Sequence, residues 1–454
     1  MTASRPHQRL SLRDFPAPPL EDLACAALFA FFAMQGAIPG IAPAQALEMT
    51  GTAPSALTTI GGIAAQVLAN VLILLLLLRR PRLVLHRIAA VPWLALLAVL
   101  AIASTLWSLD PLLTLRRSIP FALAGLFGVY FAARFPQARQ LAILRLTMVV
   151  LALATVAIVL FVPAIGLDRS PGHAADWQGI FTQKNACGRI MVLATAGVLF
   201  GERFALGRLA SLTLFMLVLI MSGSRGAWII EAALLFLWLL VRFARRSSPR
   251  VRLVLGVAAP AIALSLAGSA LALYPRVAPT LDRDPTLSGR TVIWAQVLHS
   301  IVQRPFLGYG YEAFWHGMQG PSLQIDSAVH FVVVHAHNGF LEIALELGTA
   351  GLLLFLLTGI RAARQLWPLW IRGSIERIAF PLAVLFLIGL YDLDENTLLL
   401  YNGLFWILCV AALVTIDSAV RDRHHTSVSA PHAILSLQRP RLRRFVRAAA
   451  PESP

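Results

Sequence analysis

The sequence predicts an all-α integral membrane protein, and three observations carry that prediction. Of its 454 residues 58% are apolar and only 13% charged, and the mean hydropathy is +0.74, beyond what a soluble globular domain reaches. Apolar runs of roughly 17–25 residues recur along almost the whole chain, each long enough to cross a hydrocarbon core of about 30 Å as a helix. The runs are continuous, whereas the strands of a membrane β-barrel would alternate apolar with polar residues.

Taken in order, the helices are expected at about Leu23–Ala42, Ile60–Leu78, Val91–Trp107, Ile119–Ala133, Leu146–Val162, Ala186–Leu199, Leu209–Met221, Ala227–Val241, Leu253–Leu273, Gly339–Ile360, Ile378–Tyr391 and Leu398–Ile416, about twelve spans in all. A net charge of +16 and a pI near 11.2 would suit nucleic acid, but the placement of the arginines argues against that partner. They crowd into every second connection: the N-terminal tail with Arg5, Arg9 and Arg13, then the segments beginning at Arg79, Arg134, Gly201, Arg242 and Arg361, and the tail after Val420. The bias of basic residues towards cytoplasmic loops puts these segments and both termini inside, as an even number of spans requires. Anionic lipid headgroups account for much of the juxtamembrane charge.

The chain therefore divides into a cytoplasmic tail over 1–22, nine spans over 23–273, a large periplasmic loop over 274–338, three spans over 339–416 and a basic cytoplasmic tail over 417–454. About twenty polar residues precede the first span and no cleavage-site pattern follows it, so that span is expected to be retained. Cys25, Cys187 and Cys409 lie far apart in or beside apolar runs, which suits packing better than a disulfide or metal framework.

The loops assigned to the outside break the composition rules. "AIGLDRSPGHAADWQGIFTQK" contains Lys184, the only lysine of the chain; "SGSRGA" contains Arg225; and the long loop contains Arg290, His335 and His337. Within that loop "GRTVIWAQVLHSIV" has helical spacing and "RPFLGYGYEAF" is rich in turn residues, so short helices are expected there against the membrane surface. Cations that defy the positive-inside bias suggest an anion held near that surface, although each could also be an interfacial anchor. Outside a bacterial inner membrane there is no nucleotide donor, so group transfer must use a donor delivered already activated, such as a lipid-linked pyrophosphate. Arginine forks and a lysine point charge suit the departing diphosphate, and a histidine suits an acceptor proton.

These stretches resemble the O-antigen ligase and polymerase superfamily of bacterial membrane glycosyltransferases. "HNGFLEIALELGTAG" is similar to the family's His-Asn, nine-residue spacer and Gly-x-x-Gly pattern, here His337, Asn338, Gly348 and Gly351; "SGSRGAW" and "LSGRTVIW" resemble its two arginine-bearing segments, at Arg225 and Arg290. "FTQKNACGR" and "RDPTLSGRTVIW" are similar to the exopolysaccharide-polymerase branch. The resemblance covers most of the chain and implies a GT-C-like helical fold and a metal-independent, inverting transfer without cofactor. The donor would be an undecaprenyl pyrophosphate-linked oligosaccharide and the acceptor a glycan hydroxyl, with membrane lipids around the protein and a flippase and a chain-length regulator as further partners.

Under that resemblance His337 would take the acceptor proton, Arg225, Arg290 and Lys184 would bind the diphosphate, and Asn338 would hold the histidine or cap the helix behind it. Glu342 or Glu346, a helical turn apart, could orient the base, Glu342 rising about 7 Å from His337; Glu231 stands in a similar relation to Arg225. Trp294, Tyr309, Tyr311 and Trp315 offer flat faces for sugars or belong to an aromatic membrane belt. A metal held by His335 and His337 with His330 or Asp326 has poor ligand spacing, and "DLDEN", Asp392–Asn396, reads as a solvated turn. Polymerisation of exopolysaccharide or O-antigen repeat units is expected, with O-antigen ligation to the lipid A core as the alternative; outside enzymes, a polytopic lipid or solute transporter shares this composition but would place its unusual residues at the midplane.

Overall fold

The computed structural model describes residues 19–36, 56–169, 175–201, 206–277, 289–316 and 320–436. Among these residues the only strand-like pairing is an isolated bridge between Leu167 and Trp177; the rest of the regular structure is helical. In chain order the helices are α1 (Leu20–Ala33), α2 (Ala56–Arg79), α3 (Pro81–Arg87), α4 (Pro92–Ala103), α5 (Pro111–Arg134) and α6 (Gln137–Phe161). There follow α7 (Lys184–Leu199), α8 (Leu206–Met221), α9 (Arg225–Arg246) and α10 (Pro249–Val277). The last group is α11 (Arg290–Gln303), α12 (Leu323–Val329), α13 (Gly339–Ile371), α14 (Ile375–Tyr391) and α15 (Leu404–Ser436).

Local chemistry sets several of the starts. Proline opens α3, α4 and α5, where its missing N–H costs nothing. Asp110 caps α5 by accepting the Leu113 amide at 2.9 Å, as short polar side chains do at that position. Where α5 crosses α15, Gly125 and Gly128 leave room for the Trp406 indole and the Ile407 carbonyl, the close approach that small residues permit between membrane helices. Trp406 then donates to the Phe121 carbonyl at 2.8 Å and stacks on the Phe121 ring.

Among the described residues seven helices are long and apolar enough to cross a membrane, or eight if the sharply bent pair Pro81–Ala90 and Pro92–Leu106 counts as one span. The protein is thus an all-α, multi-pass membrane protein, and its described residues show fewer full-length spans than the twelve expected. Helices stand at the expected places, yet α1, α7, α8 and α14 have 14, 16, 16 and 17 residues, short of the roughly twenty needed for a crossing. Hydropathy registers apolar residues whether they face lipid or protein, and α7 shows the difference. Every residue from Ala186 to Leu199 is buried, because α6, α8, α9 and α14 pack around it.

One long helix is broken. Inside α13, Gly348 has φ +64° and ψ −163°, a backbone conformation essentially open only to glycine. Segment 305–310 lies against the break and satisfies the freed backbone groups: the Tyr309 and Gly310 amides donate to the Leu345 and Glu346 carbonyls at 3.0 Å, and the Thr349 amide donates to the Pro305 carbonyl at 2.8 Å. Non-helical backbone at such a place is tolerated only when buried in protein like this. Segment 289–338 carries two short helices and its own small core of Ile293, Val297, Tyr309, Phe314, Ile325 and Val333, in keeping with the short helices expected there.

Candidate functional site

Lys184, Arg225 and Asn338 stand at the N-terminal ends of α7, α9 and α13, and these ends come together. The stretch around Lys184 is locked to the turn before Arg225. Lys184 Nζ meets Asp176 Oδ2 at 2.6 Å, and Asp176 occupies the space that a side chain at Gly223, where φ is +61°, would fill. Ser224 donates its hydroxyl to Asn185 Oδ1 at 2.9 Å. A Cβ on Gly188 would come 2.8 Å from that of Ala227 and 3.0 Å from that of Ser224, so this glycine sets the spacing of α7 and α9. Arg225 itself is exposed, and its neighbour Gly226 backs onto Asp394.

Arg290 reaches the same acidic turn from α11. It pairs with Asp394 and lies 3.4 Å from Glu395 Oε1. The preceding Asp-Pro-Thr-Leu run falls outside the described residues. Trp294, one turn further along α11, donates to the Ala336 carbonyl at 3.0 Å and so ties Arg290's helix to the histidine loop.

That loop is held in an unusual shape. His337 has φ +49°, a left-handed conformation uncommon for a residue with a Cβ and frequent at functional sites. Its amide donates to His335 Nδ1 at 3.1 Å, and the two rings are 4.1 Å apart between centroids. Asn338 caps α13, its Oδ1 accepting the Phe340 and Leu341 amides at 3.1 Å. Glu342, fully buried, accepts the Ala336 amide at 2.6 Å and the Trp315 indole at 2.5 Å. It supports the histidine through the backbone, and the expected contact with the ring is not made. Glu346 is likewise buried, with Glu342 and Glu312 as its charged neighbours; Glu312 pairs with Arg117 at 3.0 Å.

The carboxylate beside His337 is Glu395. Its Oε2 lies 3.4 Å from His337 Nδ1 and 3.5 Å from His335 Nε2, while its Oε1 faces Arg290. The contact to His337 is off hydrogen-bond geometry, as catalytic contacts without substrate often are. Burial lowers the basicity of His335, and the neighbouring His337, Arg189 and Arg290 charges add to this, outweighing Glu395; the ring is neutral in neutral solution. Burial raises Glu395, but the His337 ring, then His335 and Arg189, more than offset it and hold the carboxyl below its ordinary range. An ionised carboxylate thus stands beside His337 Nδ1.

This overturns the solvated turn expected for "DLDEN". Asp392 and Asn396 are buried and Glu395 is half-buried. Asp392 Oδ1 accepts the Thr397 amide and hydroxyl, both at 2.8 Å, and its carbonyl takes the Gly339 amide at 2.7 Å. Burial pushes the Asp392 carboxyl up to about 6 against those hydrogen bonds. Four polar residues in five look solvated in a sequence; here the turn folds back under the histidine loop. The only signal that could have found it was an acidic run at the end of an apolar one.

Two further expectations change. Tyr309 and Tyr311 offer no face to a sugar: both are buried, Tyr311 against Phe121 and bonded to the Leu399 carbonyl. The histidine pair is joined by Glu395 and not by His330 or Asp326; Asp326 instead accepts the Val333 amide at 2.7 Å. The ligand atoms of His335, His337 and Glu395 lie within 4.8 Å of one another, a spacing a divalent ion could bridge. Because His335 Nδ1 accepts the His337 amide hydrogen, however, the proton of the neutral ring resides on Nε2, so this ring turns an N–H and not a lone pair towards Glu395.

Residues 209–356 match the family described as O-antigen ligase, a stretch that holds Arg225, Arg290, His337 and Gly348 but neither Lys184 nor Glu395. The chain is 26% identical to the exopolysaccharide production protein ExoQ of Rhizobium meliloti, over 74% of each chain. It is also 27% identical to a protein of Rickettsia conorii named "Putative polysaccharide ligase", over 36% of this chain and 42% of the other. A protein of the same name from Rickettsia prowazekii is 35% identical over 21% of this chain and 26% of the other.

Proposed function

We propose that the chain acts as its similarity to the O-antigen ligase family and to an exopolysaccharide production protein suggests, transferring a glycan from undecaprenyl pyrophosphate to a sugar hydroxyl at the periplasmic face of the inner membrane and polymerising exopolysaccharide or O-antigen repeat units. The observation that carries this reading is the convergence of Arg290, His335 and His337 on Glu395, with Arg225 beside the same turn. The alternation of arginine along the sequence supports placing this end outside and both termini in the cytoplasm.

In the proposed step the acceptor oxygen attacks the anomeric carbon from the face opposite the diphosphate. The C–O bond to the diphosphate breaks, its electron pair leaves with undecaprenyl diphosphate, and the configuration inverts. The acceptor proton passes to His337 Nε2 while Glu395 stabilises the imidazolium that forms. Arg225 and Arg290, with Lys184 beside them, neutralise the leaving group, aided by the partial positive charge of the converging helix N-termini. Asn338 and Glu342 keep the histidine loop in its left-handed shape. None of these steps calls for a metal or cofactor.

O-antigen ligation is the second reading, favoured by the family's description and by the names of the rickettsial relatives. The two separate in surface glycan from the parent strain, a deletion, and strains with His337→Ala, Arg225→Ala, Arg290→Ala or Lys184→Ala at matched membrane levels. Polymerisation is supported if lipid-linked single repeats accumulate and polymer vanishes; free polymer that fails to reach lipid A indicates ligation. Unchanged glycan in His337→Ala refutes both and returns the transporter reading.

A further inference from the structure

Asp394 is the outward member of the acidic turn: its side chain is 44% exposed, against 12% for Glu395 beside it. The two carboxylates keep different company. Glu395 faces both histidines as well as Arg290, and the shape of the turn is held by Asp392, which accepts from Thr397 and from the Gly339 amide. Asp394 is left to Arg290, with which one of its oxygens, Oδ1, pairs. The other, Oδ2, lies 3.4 Å from the point where a Cβ on Gly226 would stand, in the first turn of α9. That turn receives no side-chain cap, because Ser224 at the cap position gives its hydroxyl to Asn185. The carboxylate thus sits between a guanidinium and the uncapped first turn of a 22-residue helix, whose leading amides carry partial positive charge.

A negative group held between two positive ones marks where an anion sits. We propose that Asp394 is a stand-in for the donor's diphosphate: in the empty protein it fills the place of one phosphate between Arg290 and the first turn of α9, and it swings out when the donor arrives. The inference rests on the donor reading above and deepens it with a residue that competes with the substrate instead of holding it. The place lies open on its outer side, since Asp394 is half-exposed and the neighbouring Arg225 is exposed, so the incoming group exchanges one anion for another in space that the carboxylate already occupies. An ion pair of that exposure is weak. A diphosphate brings more charge and more acceptor oxygens to the guanidinium fork and displaces it. Until then the pair keeps Arg290 aimed at the site, and after the exchange Glu395 still serves the histidines.

The test is binding of farnesyl diphosphate, with farnesol as the probe that lacks the anion, to the full-length protein in nanodiscs. Wild type, Asp394→Asn, Arg290→Gln and the double variant are compared, with melting temperatures of the unliganded proteins as a control on folding. Arg290→Gln should bind farnesyl diphosphate more weakly than wild type. Asp394→Asn keeps the shape of the side chain and should bind it about threefold to fivefold more tightly, with farnesol affinity unchanged. In the Arg290→Gln background the same substitution should change the affinity by less than about twofold, because the interaction it relieves is already gone. A gain in Asp394→Asn of less than about twofold overturns the inference alone, and so does a loss of affinity with a lower melting temperature, which makes Asp394 a support of the turn. A gain above that limit in the double variant, or an equal gain for farnesol, is a diffuse effect of charge and also overturns it. Unchanged affinity in Arg290→Gln removes Arg290 from the donor site and the inference with it, whereas a wild type that binds no farnesyl diphosphate removes the donor reading itself.

Discussion

Replacing Glu395 by glutamine keeps the shape of the side chain and removes its charge from behind His337. With the carboxylate oxygen 3.4 Å from His337 Nδ1, a full imidazolium would be stabilised by about 5 kcal/mol at an effective dielectric constant near 20. Proton transfer is partial in the transition state, and Arg290 on the other oxygen opposes the effect. Roughly 2–3 kcal/mol then remains, a fall in kcat of about 30- to 150-fold. Freed from Glu395, Arg290 stays available to the donor, so KM for the lipid-linked substrate should hold or fall. The assay is consumption of lipid-linked repeat units by purified protein in proteoliposomes at matched reconstitution, with the melting temperature as a control on folding. A kcat within threefold of wild type would refute the argument, as would a loss confined to KM. Glu395→Asp, which keeps the charge at a greater reach, should recover part of the rate.

Three other perturbations follow from the same geometry. Gly348→Val places a Cβ onto the Phe306 backbone at a positive φ, and should cost about 2–3 kcal/mol or more, read as a lower melting temperature with new protease cleavage near residues 305–310. Asn338→Ala removes the cap from α13 and should cost about 1 kcal/mol, with Asn338→Asp close to wild type in thermal denaturation. Asp392, raised to about 6 in the folded protein from an ordinary 3.8, holds a proton there that the unfolded chain gives up. Its contribution is full below about pH 4 and is lost as pH rises through 6, by about 3 kcal/mol; Asp392→Asn should flatten that part of the difference in stability against pH.

What the sequence disclosed was the material that lies locally along the chain. Most of the apolar runs and the cap at Asn338 depend on near neighbours, and these are found where expected. Crossing was harder to judge, because Ala186–Leu199 has the composition of a lipid-facing span and yet is enclosed by protein on every side. The histidine's carboxylate was misassigned for a similar reason. Glu342 and Glu346 are close in sequence and share a helix with the motif, whereas Glu395 arrives from the far end of α14, a long-range pairing that no spacing rule encodes. Tyr309 and Tyr311 look like interface aromatics until the broken helix draws their segment inward.

Because α13 is divided at Gly348, its two arms answer to different surroundings. The upper arm, 339–347, is stitched by backbone hydrogen bonds to segment 305–310 and seated on Asp392; the lower arm, 349–371, about 35 Å long, runs beside α4, α10 and α15. The head of the lower arm is bolted to the same segment, since the Thr349 and Ala350 amides donate to the Pro305 and Phe306 carbonyls. The break is therefore a clamp and not a free joint: whatever moves the lower arm is handed through 305–310 to the short helix that carries the histidine.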